Sequence, residues 1–146
     1  MKVMAAACLL IVGLGGCSSA ESTGPSRADT LKAWRTRAQP SIDRMNDAMA
    51  WFEGAVKSSD YTDALAACRS FAGGVDSLER ELPTPDDGVT AVLREAVSRF
   101  HDFNRECLTV NPQMSRDQAD VVVSYRDKGI EQIKTAVDMM DRIEAQ

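Results

Sequence analysis

His101 is the only histidine of the 146-residue chain, and it is therefore the first candidate for general acid–base chemistry. A histidine that acts as a general base needs a second group to orient its ring, and Asp102 is its neighbour in the sequence. Successive residues of a helix point about 100° apart, so Asp102 is poorly placed for that role. We expect His101 to be a solvated residue on the polar face of a helix.

The sequence lacks the other patterns that would indicate an enzyme. It contains no GxSxG, Walker-type glycine loop, HExxH or CxxCH motif, and no Glu-x-x-His pair that could hold a di-iron centre. Methionine thioethers suit Cu(I), but four candidates lie at or beside apolar helix positions, where methionine ordinarily fills gaps. These are Met45, Met49, Met139 and Met140. The sequence therefore predicts a protein that is not an enzyme and holds no metal or other cofactor.

The charge of the chain disfavours nucleic acid as a partner. Seventeen basic side chains stand against twenty-two acidic ones, which gives a formal net charge of −5 at pH 7. Because a phosphate backbone repels an acidic domain, we expect the protein to bind no nucleic acid.

The N-terminal residues have the pattern of an export signal. A positively charged start, Met1-Lys2, precedes an almost unbroken apolar run over residues 3–14. As a helix this run would span roughly 18 Å, against the ~30 Å of a hydrocarbon core, so it is too short to cross a membrane. It fits the apolar region of a signal peptide instead. The run ends in Leu14-Gly15-Gly16-Cys17.

Those last four residues resemble the lipobox of a bacterial lipoprotein precursor. The resemblance implies that a signal peptidase recognises Leu14, Gly15 and Gly16, that residues 1–16 are removed, and that the thiol of Cys17 carries a diacyl lipid. The protein would then be exported and anchored on the extracytoplasmic side of the cell membrane, since two acyl chains suffice for stable attachment. Residues 17–27 form the lipidated N-terminus and a flexible tether of about 15–20 Å, and residues 28–146 form the folded domain.

The lipobox resemblance accounts for two of the four cysteines, because Cys8 is removed with the signal peptide and Cys17 carries the lipid. Cys68 and Cys107 remain, on apolar stripes at similar distances from a turn at residues 83–88. An oxidising compartment favours a disulfide between them, worth roughly 4 kcal/mol of stability; the alternative is two buried thiols that never pair. The paired cysteines and the arginine-rich, lysine-poor composition resemble small lipoproteins of high-GC actinobacteria, including mycobacteria and their prophages.

Apolar residues at three- and four-residue steps predict four amphipathic helices after the tether. In the first segment Pro40 interrupts the stripe, which predicts either a kink there or a helix that begins near Ser41. Four such segments joined by short breaks predict an all-α fold, an antiparallel (up-down-up-down) four-helix bundle. The alternative is a three-helix arrangement with the first segment splayed away.

Short local signals mark where two of the helices begin, and a glycine pair lies inside one of them. Asp60, with Asp63 three residues later, is typical of an N-cap, and Ser115 with Gln118 forms a capping-box pattern. Gly73-Gly74 lies in the middle of the second segment, where it either weakens the helix or lets a neighbouring helix approach closely.

Two tryptophans and one stretch of the fourth segment are candidates for partner binding. Trp34 and Trp51 are either exposed anchors for a protein partner or residues that close the edge of the core, and the core edge is favoured for Trp51. Residues 121–123 and Tyr125 make the fourth helix apolar over more than one face, which fits a central helix or a binding surface.

These features together predict a membrane-anchored envelope lipoprotein with a non-catalytic binding or accessory role. Its expected partners are the membrane, through the N-terminal lipid, and a protein whose identity the sequence does not give. The alternative hypothesis is a superinfection-exclusion lipoprotein, since small helical lipoproteins, often prophage-encoded, block the entry of related phage DNA by binding a phage protein.

Overall fold

A computed structural model describes residues 24–146, and these fold as an all-α four-helix bundle. The helices are α1 (Arg27–Lys57), α2 (Tyr61–Arg80), α3 (Asp87–Cys107) and α4 (Arg116–Glu144). Each packs against its neighbours in the order α1–α2–α3–α4 and back to α1, in the up-down-up-down arrangement predicted from the sequence. The first segment is part of the bundle, so the three-helix alternative is wrong.

The helix starts follow the capping residues of the sequence. Ser115 and Gln118 satisfy each other's backbone in a capping box, and the Asp60 carboxylate accepts a hydrogen bond from the backbone N–H of Asp63 at 3.0 Å. A second capping box, between Ser26 and Asp29, begins α1. The hydrogen bonds from Ser26 lower the pKa of Asp29, because they stabilise its charged form.

Pro40 does not interrupt α1, which runs unbroken from Arg27. The expectation of a helix starting near Ser41 is therefore wrong. Proline lacks the N–H that would bond to the carbonyl four residues earlier, but Pro40 is exposed on the outer face of α1. Water can reach the freed carbonyl there, and the residues on either side of Pro40 keep their own helical bonds.

Two glycines allow close helix packing, each within one pair of sequential helices. A Cβ built on Gly74 of α2 would lie 2.6 Å from Met45 Cγ and 3.2 Å from the carbonyl oxygen of Ser41, so α1 and α2 meet almost backbone to backbone. A Cβ built on Gly129 of α4 would overlap the ring of Phe100 on α3. The glycine pair of α2 thus serves close approach, one of the two roles predicted for it.

An aromatic cluster occupies the centre of the bundle. The ring centroid of Phe71 lies 5.3 Å from that of Phe100 and 5.1 Å from that of Phe103, and both contacts are edge to face. Apolar side chains from all four helices complete the core, including Leu31, Leu78, Leu93, Val122 and Met140. The stripe predicted for α3 is buried from Val89 to Cys107.

Cys68 of α2 and Cys107 of α3 form the predicted disulfide, with their Cα atoms 5.9 Å apart. It joins the two helices near the end remote from their connection. Hydrogen bonds hold that connection itself: Thr84 Oγ1 donates to the carbonyl of Asp86 at 2.7 Å, and Thr90 Oγ1 accepts from the backbone N–H of Thr84 at 2.9 Å. The α2–α3 pair is therefore fixed at both ends.

Reduction of this disulfide should lower the free energy of unfolding by about 4 kcal/mol, because it releases a crosslink between residues 39 apart in the chain. In a domain of this size, that loss corresponds to a decrease in Tm of roughly 10–15 °C. Thermal unfolding followed by circular dichroism, with and without reductant, measures the effect. The double variant Cys68→Ser/Cys107→Ser is the control, since its Tm should be low and insensitive to reductant. An unchanged wild-type Tm would contradict the prediction.

Alanine substitution at two glycines separates the effect of helix packing from that of helix propensity. Gly129→Ala should destabilise the bundle by about 1–3 kcal/mol, because the added methyl group meets the Phe100 ring in a filled core. Gly54→Ala in α1 should stabilise it by about 0.5–1 kcal/mol, because nothing lies within 4 Å and alanine favours the helix. Urea unfolding of both variants tests this, and equal shifts in the midpoint would refute the packing argument.

Candidate functional site: the groove between α1 and α4

His101 lies on the exposed face of α3, and its expected neighbour does not orient it. Asp102 accepts a hydrogen bond from Arg105 at 2.9 Å instead. The Nε2 atom of His101 lies 3.2 Å from Glu79 Oε2 of α2, a contact that the sequence analysis missed. The Cys68–Cys107 pairing sets the register of α2 against α3, and this register could have predicted that Glu79 and His101 lie close together.

Asp76 joins His101 and Glu79 in a surface cluster whose potential ligand atoms lie within 4.8 Å of one another. All three side chains are exposed. Exposed acidic groups commonly lie this close together on a protein surface without binding an ion. We therefore assign no chemistry to this cluster.

Neither described cysteine can act as a nucleophile, because Cys68 and Cys107 are buried and joined to each other. The remaining predicted lipidation and recognition residues, Cys17 and residues 14–16, lie outside the described residues. Within residues 24–146, no helix has the length and apolar character that crossing a membrane requires.

The two tryptophans have different environments. Trp34 is 1% exposed and its indole N–H donates to the carbonyl of Glu81 at 2.6 Å, so it is a core residue that ties α1 to the end of α2. This burial corrects its assignment as a possible contact for a partner. Trp51 is 43% exposed, and its indole N–H lies 3.4 Å from an Asp63 carboxylate oxygen on α2, where partner binding stays a prediction.

One apolar concave surface of the described residues is a groove between α1 and α4, the least closely packed of the four adjacent helix pairs. We call it the α1–α4 groove, and its volume is about 430 Å³, within the range of small-molecule sites. Its apolar residues are Ile42, Met45, Met49, Phe71, Phe100, Ile130 and Ile133, and its polar ones are Asn46, Glu53, Arg126 and Lys134.

The floor of the α1–α4 groove belongs to the core. Phe71 of α2 and Phe100 of α3 are each only 2% exposed, yet both line it. The groove therefore passes between α1 and α4 and reaches the helices behind them. Met45 and Met49 are part of its wall, and their flexible thioethers can adjust to an apolar ligand.

Ion pairs connect α1 and α4 on either side of the groove. On the side of the α1 N-terminus, Arg35 Nη1 donates to Asp141 Oδ1 at 2.6 Å, and this hydrogen bond raises the pKa of Arg35. On the other side, Arg126 Nη1 lies 3.7 Å from Glu53 Oε1, and Arg126 Nε donates to Asp127 Oδ1 at 2.9 Å. Polar contacts between α1 and α4 thus lie at both ends of the groove.

A second cavity of about 370 Å³ continues along the same helix pair beyond Arg126. Its apolar lining includes Phe52, Val56, Phe103, Val110, Met114, Val122 and Val123. Arg126 lines both cavities and separates them. Val122 and Val123, from the stretch predicted either for a central helix or for a binding surface, thus line this cavity, whereas the exposed Val121 does not.

The two cations at the rim of the groove, Arg126 and Lys134, differ in their ion pairing. The Arg126 guanidinium has carboxylates of two residues beside it, whereas no carboxylate of residues 24–146 lies within 4 Å of the exposed Lys134 ammonium. Asn46 on the α1 side is also exposed and adds an amide. The site therefore combines an apolar interior with one cation that has no partner in the described part of the chain.

No family model matches this chain, and neither the curated proteins nor the solved structures include a match. The features that bear on function are the geometry of the α1–α4 groove and the N-terminal sequence.

Proposed function

We propose that this protein is a non-catalytic binding protein of the cell envelope, anchored by a lipid on Cys17, and that the α1–α4 groove is its binding site. The observation that carries the proposal is the groove itself. Apolar side chains line a gap that reaches the buried Phe71 and Phe100. An apolar cavity with a few polar groups at its rim is the usual form of a small-molecule site.

The absence of a convergent polar site supports binding rather than catalysis. Among residues 24–146, the only histidine is exposed and contacts Glu79, and both cysteines are in the disulfide. The groove contains no histidine, cysteine, serine or threonine that could act as a nucleophile or base. It offers an apolar interior with polar side chains at its rim.

The location at the membrane rests on the lipobox resemblance and has its own test. The mature protein isolated from cells should begin at Cys17 and carry the mass of a diacylglyceryl group, as intact-mass spectrometry and N-terminal peptide mapping would show. The variant Cys17→Ala should lose that mass and leave the membrane fraction, while its circular dichroism keeps the same helix content. An unmodified N-terminus on the wild-type protein would refute the anchor.

The groove can be tested in living cells with a photocrosslinking residue at Ile130, which is 37% exposed and lines it. The same residue at Val121, which is 49% exposed on α4 and lies outside the groove, is the control. We expect crosslinked products from position 130 that position 121 does not give, identified by mass spectrometry. Identical products from both positions would show that the groove is not the binding site.

The mass of the crosslinked product distinguishes the classes of partner. A small adduct at position 130 indicates a low-molecular-weight ligand, and a resident envelope protein indicates an accessory subunit. A product with a phage protein, found only after phage challenge, would instead support the superinfection-exclusion hypothesis. Running the experiment with and without phage compares these outcomes on one surface.

A further inference from the structure

The depth of the α1–α4 groove limits what can fill it. The groove passes between two helices to reach Phe71 and Phe100, which are almost fully buried. A helix of a partner protein is about 10–12 Å in diameter, so it would rest on the rim of such a gap without touching its floor. A thin, flexible hydrocarbon chain can enter between α1 and α4 and contact both rings.

The length of the groove also fits a chain. It extends along α1 from Ile42 to Glu53, which is about 16 Å at 1.5 Å per residue. Apart from Asn46 at the rim and Glu53 at the far end, the lining along this path is apolar and includes two methionines, so a chain buried here would meet mainly hydrocarbon and thioether groups. The Arg126–Glu53 contact marks the far end of the path.

The charge at the rim indicates which end of the ligand stays in water. Lys134 stands at the near end, about 12 Å along α4 from Arg126, and it has no ion-pair partner among residues 24–146. Asp138, one turn further along α4, is not within ion-pair distance of it either. Asn46 on α1 offers an amide on the opposite rim. One free ammonium matches a group with a single negative charge.

We propose that the α1–α4 groove binds one fatty-acid-like molecule, with its carboxylate beside Lys134 and Asn46 and its hydrocarbon chain along Met45 and Met49 towards Phe71 and Phe100. This inference rests on the proposed function, since it names the ligand class of the same groove. It adds an orientation, with the head at the Lys134 end and the tail towards Arg126. Arg126 is already neutralised by Glu53 and Asp127, so it does not compete for the head group.

Binding is measured with cis-parinaric acid, a fluorescent fatty acid, on the full chain carrying Cys17→Ala, which removes the protein's own lipid as a competitor. We expect saturable binding of one molecule per chain. Lys134→Gln should weaken binding of the acid about three- to fivefold, the range for one solvent-exposed ion pair. Lys128→Gln is the matched control, because Lys128 is exposed on the same helix and does not line the groove, and it should leave the affinity unchanged.

Two further comparisons separate the head group from the tail. The methyl ester of the same probe has no charge, so it should bind the wild-type chain and Lys134→Gln equally. Ile130→Glu places a carboxylate in the apolar wall and should reduce binding of both probes at least tenfold, whereas Val121→Glu outside the groove should not. Circular dichroism of each variant confirms that these exposed substitutions leave the bundle folded.

The inference fails if cis-parinaric acid does not saturate, if both lysine variants have the same affinity, or if Ile130→Glu has no more effect than Val121→Glu. Failure of the proposed function is a different result, namely identical crosslinks from positions 130 and 121 in cells. A protein crosslinked only from position 130, together with no binding of the fatty acid, would overturn the ligand class and leave the groove as the binding site.

Discussion

At Gly74 the backbone of α2 lies against Ser41 and Met45 of α1, and at Gly129 the backbone of α4 lies against the ring of Phe100 on α3. Each contact draws two sequential helices together, so the bundle consists of two tight pairs, α1–α2 and α3–α4. The two pairs are held to each other by the contacts between α2 and α3 and between α1 and α4. The groove exists because the α1–α4 contact is much looser than the α2–α3 contact.

On one side, α2 and α3 are joined by a covalent bond and a short connection whose buried polar groups bond to one another. On the other side, α1 and α4 are held by ion pairs with exposed or half-exposed partners, at Arg35 and at Arg126. Exposed ion pairs contribute little free energy, with a median of about 0–1 kcal/mol. The apolar core is therefore left open on this second side.

Much of this arrangement could be predicted from the sequence, because its signals are local. Capping residues such as Ser115, the apolar stripe of α3 and the Cys68–Cys107 pairing each depend on nearby residues or on simple register. The exposure of Ile130 could not be predicted, because this residue belongs to the apolar stripe of α4. It is exposed only because α1 and α4 pack loosely, which the sequence does not reveal. Trp34 also lies on an apolar stripe, but the partner of its indole N–H, the carbonyl of Glu81, is a backbone group with no sequence signature.

Arg27 at the start of α1 forms an ion pair with the buried carboxylate of Asp86, which is also the N-cap of α3. Two turns later the Trp34 indole binds the end of α2. A mechanical load applied to the chain that precedes α1 is therefore transferred to α2 and α3, the pair that the disulfide crosslinks. The groove begins at Ile42, about 22 Å along α1 from Arg27, so the contacts that join the start of α1 to α2 and α3 lie outside it.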